Sequence, residues 1–250
     1  MAKKTAAQTS RRAVIDDIRK KQKGAERRRG FAIVGVCATI AVLIVVAAAY
    51  RPVKDWWDER KFNDVDLAAI GGPASACGEI QTKPSEGQEH VPTGSQVTYQ
   101  SSPAVTGNHW NEAGVAPVAM EKKFYSAEER PELEALVHNS EHGYTIVWYD
   151  ETAAADSAEL AELRAIAGKF PGDSNMRYKM KVVPWLESDG EPFPDGQHIA
   201  YTHWSAGGEG ETDASKQLAV TQYCSEVSGE ALKSFMEKYP YLDSPEPTAM

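Results

Sequence analysis

Six histidines carry most of the chemistry available to this chain: His90, His109, His138, His142, His198 and His203. Four of them fall between positions 90 and 142. His138-Asn139-Ser140-Glu141-His142 has the form H-x-x-E-H. Histidines four apart share one helix face, so both imidazoles can reach a single metal ion. Glu141, three residues from His138, lies near that face as a ligand, a ring-orienting acceptor or a base. His109 sits in Thr106-Gly107-Asn108-His109-Trp110, a loop able to fold over the helix end. His90, in Glu89-His90-Val91-Pro92, can supply a fourth nitrogen. Neutral imidazoles suit zinc or copper, and the lack of a nearby thiolate argues against an all-sulfur site. The expected metal shell is His90, His109, His138 and His142, with Glu141 orienting one ring.

Two other readings use the same residues. H-x-x-E-H also occurs in inverted zinc peptidases, where the glutamate polarises a metal-bound water. A peptidase needs a further ligand from another element, and nothing singles out Glu226 or Glu230 for that role. In the purely structural reading, His138 and His142 interact with a helix C-terminal dipole and His109 bonds a loop backbone. His198 and His203 are an odd number apart, so a continuous strand would turn them to opposite faces. The chain has no P-loop, no G-x-G-x-x-G and no G-x-S-x-G. No catalytic residue and no organic cofactor is assigned, and binding is expected rather than catalysis.

The elements that must position these residues follow from periodicity. Val97–Gln100 and Ala119–Tyr125 read as short strands. Ser126 with Glu129 resembles a capping box, with Pro131 as the alternative opening, for a helix running to about His142 and closed by Gly143. Tyr144–Tyr149 is a β-branched and aromatic run, hence a buried strand. Asp156 with Glu159 opens a helix whose Leu160, Leu163, Ile166, Ala167 and Phe170 recur at helical spacing. Arg177–Val183 and His198–Trp204 read as strands, and Asp213–Tyr239 as a helical region broken near Ser228-Gly229. The order from Ala119 is β-α-β-α-β-β-α, that of a thioredoxin-like α/β sandwich, but without a CxxC pair and so without dithiol chemistry.

Charge divides the chain. The 250 residues carry a net charge of −9. Residues 1–30 hold eleven Lys/Arg against three acids, residues 31–50 are uncharged, and residues 51–250 hold 16 bases against 33 acids. Phe31–Tyr50 offers twenty mostly apolar residues, about the length of helix that spans a hydrocarbon core of roughly 30 Å. Arg27, Arg28 and Arg29 abut one end, so the positive-inside rule places the N-terminus in the cytoplasm and the body outside. Tyr50, Trp56 and Trp57 read as interfacial anchors on the outer side. Ala47-Ala48-Ala49 resembles a signal-peptide cleavage site, but the apolar run is longer than the usual 7–15 residues and follows a long head, which favours a retained plasma-membrane anchor. The basic head fixes topology and is drawn to anionic lipid headgroups. The acidic body excludes nucleic acid as a partner and leaves a membrane protein as the alternative one.

These readings divide the chain into a basic head (1–30), a transmembrane helix (31–50), a stalk (51–76), an exported domain (77–240) and a frayed tail (241–250). Cys37 falls in the apolar run. Cys77 and Cys224 both fall in the exported part, where an oxidising compartment favours one disulfide between them.

With these residues in place, the chain resembles a bacterial, mostly actinobacterial, family of membrane-anchored proteins of unknown function (domain of unknown function 3105). The resemblance rests on Glu89–Pro92, Tyr99 followed by Ser102-Pro103, Gly107–Trp110, and Val137–Gly143 leading into the Tyr144–Tyr149 strand. The family commonly has an apolar residue where Ser140 stands and Ser-Gly where Thr106-Gly107 stands; the histidines are untouched by these departures. The resemblance implies the topology and domain limits above. It also implies that His90, His109, His138 and His142 act as one group. It brings no activity with it.

Overall fold

A computed structural model describes the backbone of residues 2–249, with the side chains of residues 2–13, 25, 51, 52, 55, 56, 58 and 59 left out. The anchor expected at Trp56, the basic residues Lys3, Lys4, Arg11, Arg12 and Arg51, and the tail residue Met250 therefore lie outside the described residues. The chain forms two compact units, residues 1–56 and 57–250.

The first unit is built on α1 (Ala2–Arg60). Its stretch Val14–Tyr50 is long and apolar enough to cross a membrane. Thr39 donates its hydroxyl to the Gly35 carbonyl at 2.9 Å, so this polar group is satisfied inside the helix.

The second unit is a mixed α/β domain around a five-stranded sheet. Its strands are β1 (Gln81–Pro84), β4 (Thr145–Tyr149), β5 (Met180–Pro184), β6 (Ile199–Ser205) and β7 (Leu218–Cys224). They are ordered β1-β7-β6-β4-β5. Only β4 and β5 run parallel to each other; the other pairs are antiparallel. A separate parallel pair joins β2 (His90–Val91) to β3 (His109–Trp110). The helices are α2 (Leu133–Glu141), α3 (Glu151–Ala155), α4 (Ser157–Gly168) and α5 (Gly229–Lys238).

Period-two alternation sorts the sheet into two cores. Val147, Tyr149, Ile199 and Tyr201 pack with Leu163 and Ile166 of α4 and with Leu232 and Phe235 of α5. Ile146, Trp148, Ala200 and Trp204 pack on the other side with Leu136 and Val137 of α2. Both faces are covered, so β4 and β5 are buried along their whole length. Asp156 caps α4 by accepting from Ala158 N and Glu159 N.

Several expected elements differ, each for a local reason. Val97–Gln100 is no strand, because carboxylates take its amides: Val97 N donates to Glu134 Oε1 and Gln100 N to Glu86 Oε2, both at 2.8 Å. Ala119–Tyr125 contributes a single parallel bridge, Phe124 to Val182. Buried Lys181 occupies the carbonyls of Ala119 and Lys122, which a ladder would need. The helix before His142 opens at Leu133, later than either expected start. Ser126 and Glu129 close a turn instead. Leu218–Cys224, expected in a helix, is a strand paired on both sides, with β1 and with β6. The break near Ser228 is a true boundary, since Ser228 caps α5 through Ala231 N.

The parts expected to be loose are packed. In the stalk, Ile70 is fully buried, and Phe62, Val65 and Leu67 pack on the α4/α5 core. Cys77 and Cys224 are joined by a disulfide, while Cys37 is free. The segment after Pro240 folds back as a strap. Asp243 is 5 % exposed. Its carboxylate accepts from Ser205 Oγ and Gly208 N, both at 2.7 Å.

Candidate metal centre

The site is built where β2, β3 and α2 meet. In the parallel pair His90 stands in register with His109, so both side chains leave the same face. The pair is held by Glu89: His109 N donates to its carbonyl at 3.1 Å, and its own amide donates to Asn108 Oδ1 at 3.0 Å. Helix α2 brings up His138 and Glu141 three residues apart. Asn139, between them, clasps both backbone groups of Val118, accepting from N at 2.9 Å and donating to O at 2.8 Å. This fixes the helix against the preceding loop.

The three rings of His90, His109 and His138 lie with centroids 4.8–5.3 Å apart. His109 and His138 are buried, and His90 is 42 % exposed. The edge of His109 meets Trp204 of β6, which walls the site from the sheet side.

The hydrogen bonds fix the tautomers. His109 Nδ1 lies 2.8 Å from the Gly107 carbonyl, and His138 Nδ1 lies 2.6 Å from the Trp110 carbonyl. A carbonyl only accepts, so each ring donates from Nδ1, and in the neutral imidazole Nε2 keeps its lone pair. His90 Nδ1 lies 3.1 Å from the Asn111 side-chain amide.

Those Nε2 atoms converge on Glu141 Oε2. The separations are 2.9 Å from His109, 3.6 Å from His90 and 4.0 Å from His138. His109 Nε2 and Glu141 Oε2 are both buried and have no partner but each other, 2.9 Å apart. With the ring's single proton on Nδ1, these are two buried electron-rich atoms in contact, which is costly. A cation bound by both removes that cost. The four ligand atoms lie within 4.8 Å of one another. Tetrahedral ligands about 2.0–2.1 Å from a zinc ion stand roughly 3.4 Å apart, so the pocket needs only small side-chain shifts to close on an ion.

The electrostatics act on His138, His142 and Glu141. Burial, helped by the adjacent His109, pushes His138 down to about 4. Burial together with His138 and Lys179 pushes His142 down to about 4. Burial opposes the Glu141 carboxylate, yet the neighbouring imidazoles, His109 first, hold its pKa below the ordinary value. Neutral imidazole beside ionised carboxylate is the state a metal requires.

Of the residues expected in the shell, His90, His109 and His138 come together. Glu141 stands among their ligand atoms. The His142 ring lies 4.5 Å from that of His138, but its Nε2 faces Glu246 Oε2 at 3.4 Å. Glu141, His142 and Glu246 form a second group of converging ligand atoms. Glu246 was hidden in a segment that reads as a tail, and no local pattern marks it. The carbonyls of Gly107 and Trp110 were equally invisible, since backbone acceptors leave no residue signature. His198 pairs with Asp150 at 2.8 Å, just before β6. His203 lies on the opposite face of β6 from Trp204, beside Tyr239. Glu226 and Glu230 belong to neither group.

Residues 90–250 match the family described as a protein of unknown function (DUF3105). The matched region spans every residue of both groups. No curated protein and no solved structure matches the chain.

Proposed function

Because the chain belongs to DUF3105, a family that brings no activity with it, we propose a function from the site: a membrane-tethered, extracytoplasmic domain that binds zinc or copper(II). The role is accessory or sensing. His90, His109, His138 and Glu141 are the ligands. One observation carries the reading: Nε2 of His109 and His138 are freed by backbone carbonyls and turned, with His90 Nε2, towards a single buried carboxylate oxygen. Metal-bound histidines characteristically donate their other ring N–H in this way. Three imidazoles and a carboxylate, with no sulfur, favour Zn(II) or Cu(II) over Cu(I). Glu141 sits among the ligands, which supports binding over the base role that a hydrolase asks of it.

Topology follows from charge. The basic head and the acidic body support a cytoplasmic N-terminus and an exported domain at the plasma membrane, with anionic headgroups as the head's partner. The Cys77–Cys224 disulfide supports the same side of the membrane. The domain itself reads as a thioredoxin-like sheet, supported by the parallel β4–β5 pair flanked by antiparallel β6 and β7.

The test uses the full chain in detergent, stripped with a chelator and titrated with Zn(II) or Cu(II) against a chromophoric competitor. The wild type is expected to outcompete the chromophore. His109→Ala/His138→Ala is expected to lose more than about 100-fold in affinity, beyond the 10–100-fold typical of an outer-shell change. A folded wild type that binds neither metal ends the proposal.

A further inference from the structure

We propose that His142, Glu246 and the shared Glu141 form a second transition-metal position, so that the centre is dinuclear with Glu141 as the bridging carboxylate. This rests on the metal-centre reading of the first group.

Three observations carry it. Glu141 is common to both convergent groups, and a carboxylate has two oxygens to divide between two cations. The His142 side chain is 6 % exposed, and its Nδ1 is buried without a hydrogen-bond partner. No hydrogen bond commits Nδ1, so the ring is free to offer either nitrogen to a cation, and a ligand bond would offset part of the cost of burying it. Finally, Glu246 is held by a built scaffold. Its amide donates to the Glu141 carbonyl at 3.0 Å. Lys179 Nζ donates to the carbonyls of His142 at 2.7 Å, Pro247 at 2.9 Å and Ala249 at 2.6 Å. His203 Nε2 binds the Asp243 carbonyl at 2.7 Å from the other side. A buried lysine with three carbonyl acceptors ties the strap to the end of α2. The Glu246 carboxylate is presented to His142.

The two positions differ in character. The first has three imidazoles and is enclosed except at His90. The second has one imidazole and two carboxylates, and the Glu246 side chain is 46 % exposed. The harder, more open position binds its ion more weakly and exchanges it faster. Carboxylate-bridged pairs hold their ions about 3.5–4 Å apart, close enough to act on one oxygen ligand together.

The experiment dialyses the full chain in detergent to equilibrium against a fixed excess of free Zn(II) or Cu(II) and measures metal per chain, above that of the dialysate, by elemental mass spectrometry. Two equivalents are expected in the wild type and one in Glu246→Gln. His142→Asn, a second route to the same loss, is also expected to hold one. Circular dichroism should be unchanged in Glu246→Gln, which alters a half-exposed side chain without changing its volume. With Cu(II), the wild-type paramagnetic resonance intensity should fall below the copper content, because bridged ions couple. It should match the copper content in Glu246→Gln. One equivalent in the wild type, unchanged by Glu246→Gln, overturns the second position and leaves the first standing. Two uncoupled coppers insensitive to Glu246 overturn it as well. No bound metal overturns the metal centre and this inference with it.

Discussion

At the residue scale, two backbone carbonyls decide what the centre can do. Gly107 O and Trp110 O take the Nδ1 protons of His109 and His138, and only then do the Nε2 lone pairs point inwards. Burial holds His138 and His142 neutral, and so makes the metal-free protein sensitive to acid. His138 and His142 titrate near 4 in the folded chain, against about 6.5 when unfolded. Above 6.5 the two states bind equal protons at these sites. Between 6.5 and 4 the unfolded state binds more, so stability falls as pH is lowered through that window. Urea midpoints of the metal-free chain at pH 7.5 and 4.5 should show the loss, and His138→Gln should reduce it. A midpoint equal at both pH values would contradict the burial argument.

At the element scale, the end of α2 is the critical join. Gly143 has φ +86°, and a Cβ there would lie 2.4 Å from the Tyr241 carbonyl and 2.7 Å from Ser244 Oγ. The glycine is required twice, for its left-handed conformation and for the close approach of the strap. Gly172 has a similar φ, +77°, but open space around it. Gly172→Ala should therefore cost only the conformational penalty, about 1–2 kcal/mol. Gly143→Ala should cost more, of order 3 kcal/mol, since something must also move. It should also expose residues 240–249 to protease. Equal costs for the two variants would show that the strap yields freely at Gly143.

At the scale of the whole molecule, one covalent bond closes the domain. The Cys77–Cys224 disulfide spans a sequence separation of 147 and ties the segment leading into β1 to the end of β7. In the chain-entropy model a loop of that length contributes up to about 5 kcal/mol by restricting the unfolded chain. Cys77→Ser should lower the melting temperature of the metal-free chain by as much as about 10–20 °C, at roughly 2–4 °C per kcal/mol for a domain this size. Calorimetry would measure it, and an unchanged melting temperature would mean that local packing alone closes the loop. Cys37→Ser, in α1, serves as the control.

Much of this protein is legible in its residue order. Twenty uncharged residues after a basic head define a helix that can cross a membrane, because length and hydropathy are one-dimensional properties. Thr145–Tyr149, α4 and the cap at Asp156 are readable for the same reason: their periods and caps are local. Two cysteines outside the apolar run leave one pairing. The H-x-x-E-H spacing puts His138 and His142 on a shared helix face with Glu141 near it. Only the tertiary structure decided the rest. The register of β2 on β3 brings His90 to His109 across nineteen residues. The fold of the strap turns an apparent tail into the carrier of Glu246. Lys181 takes carbonyls that a strand at Ala119–Tyr125 would have used. Each is a long-range contact set by which backbone groups remain to be satisfied once the sheet is built, and no window of sequence contains both partners.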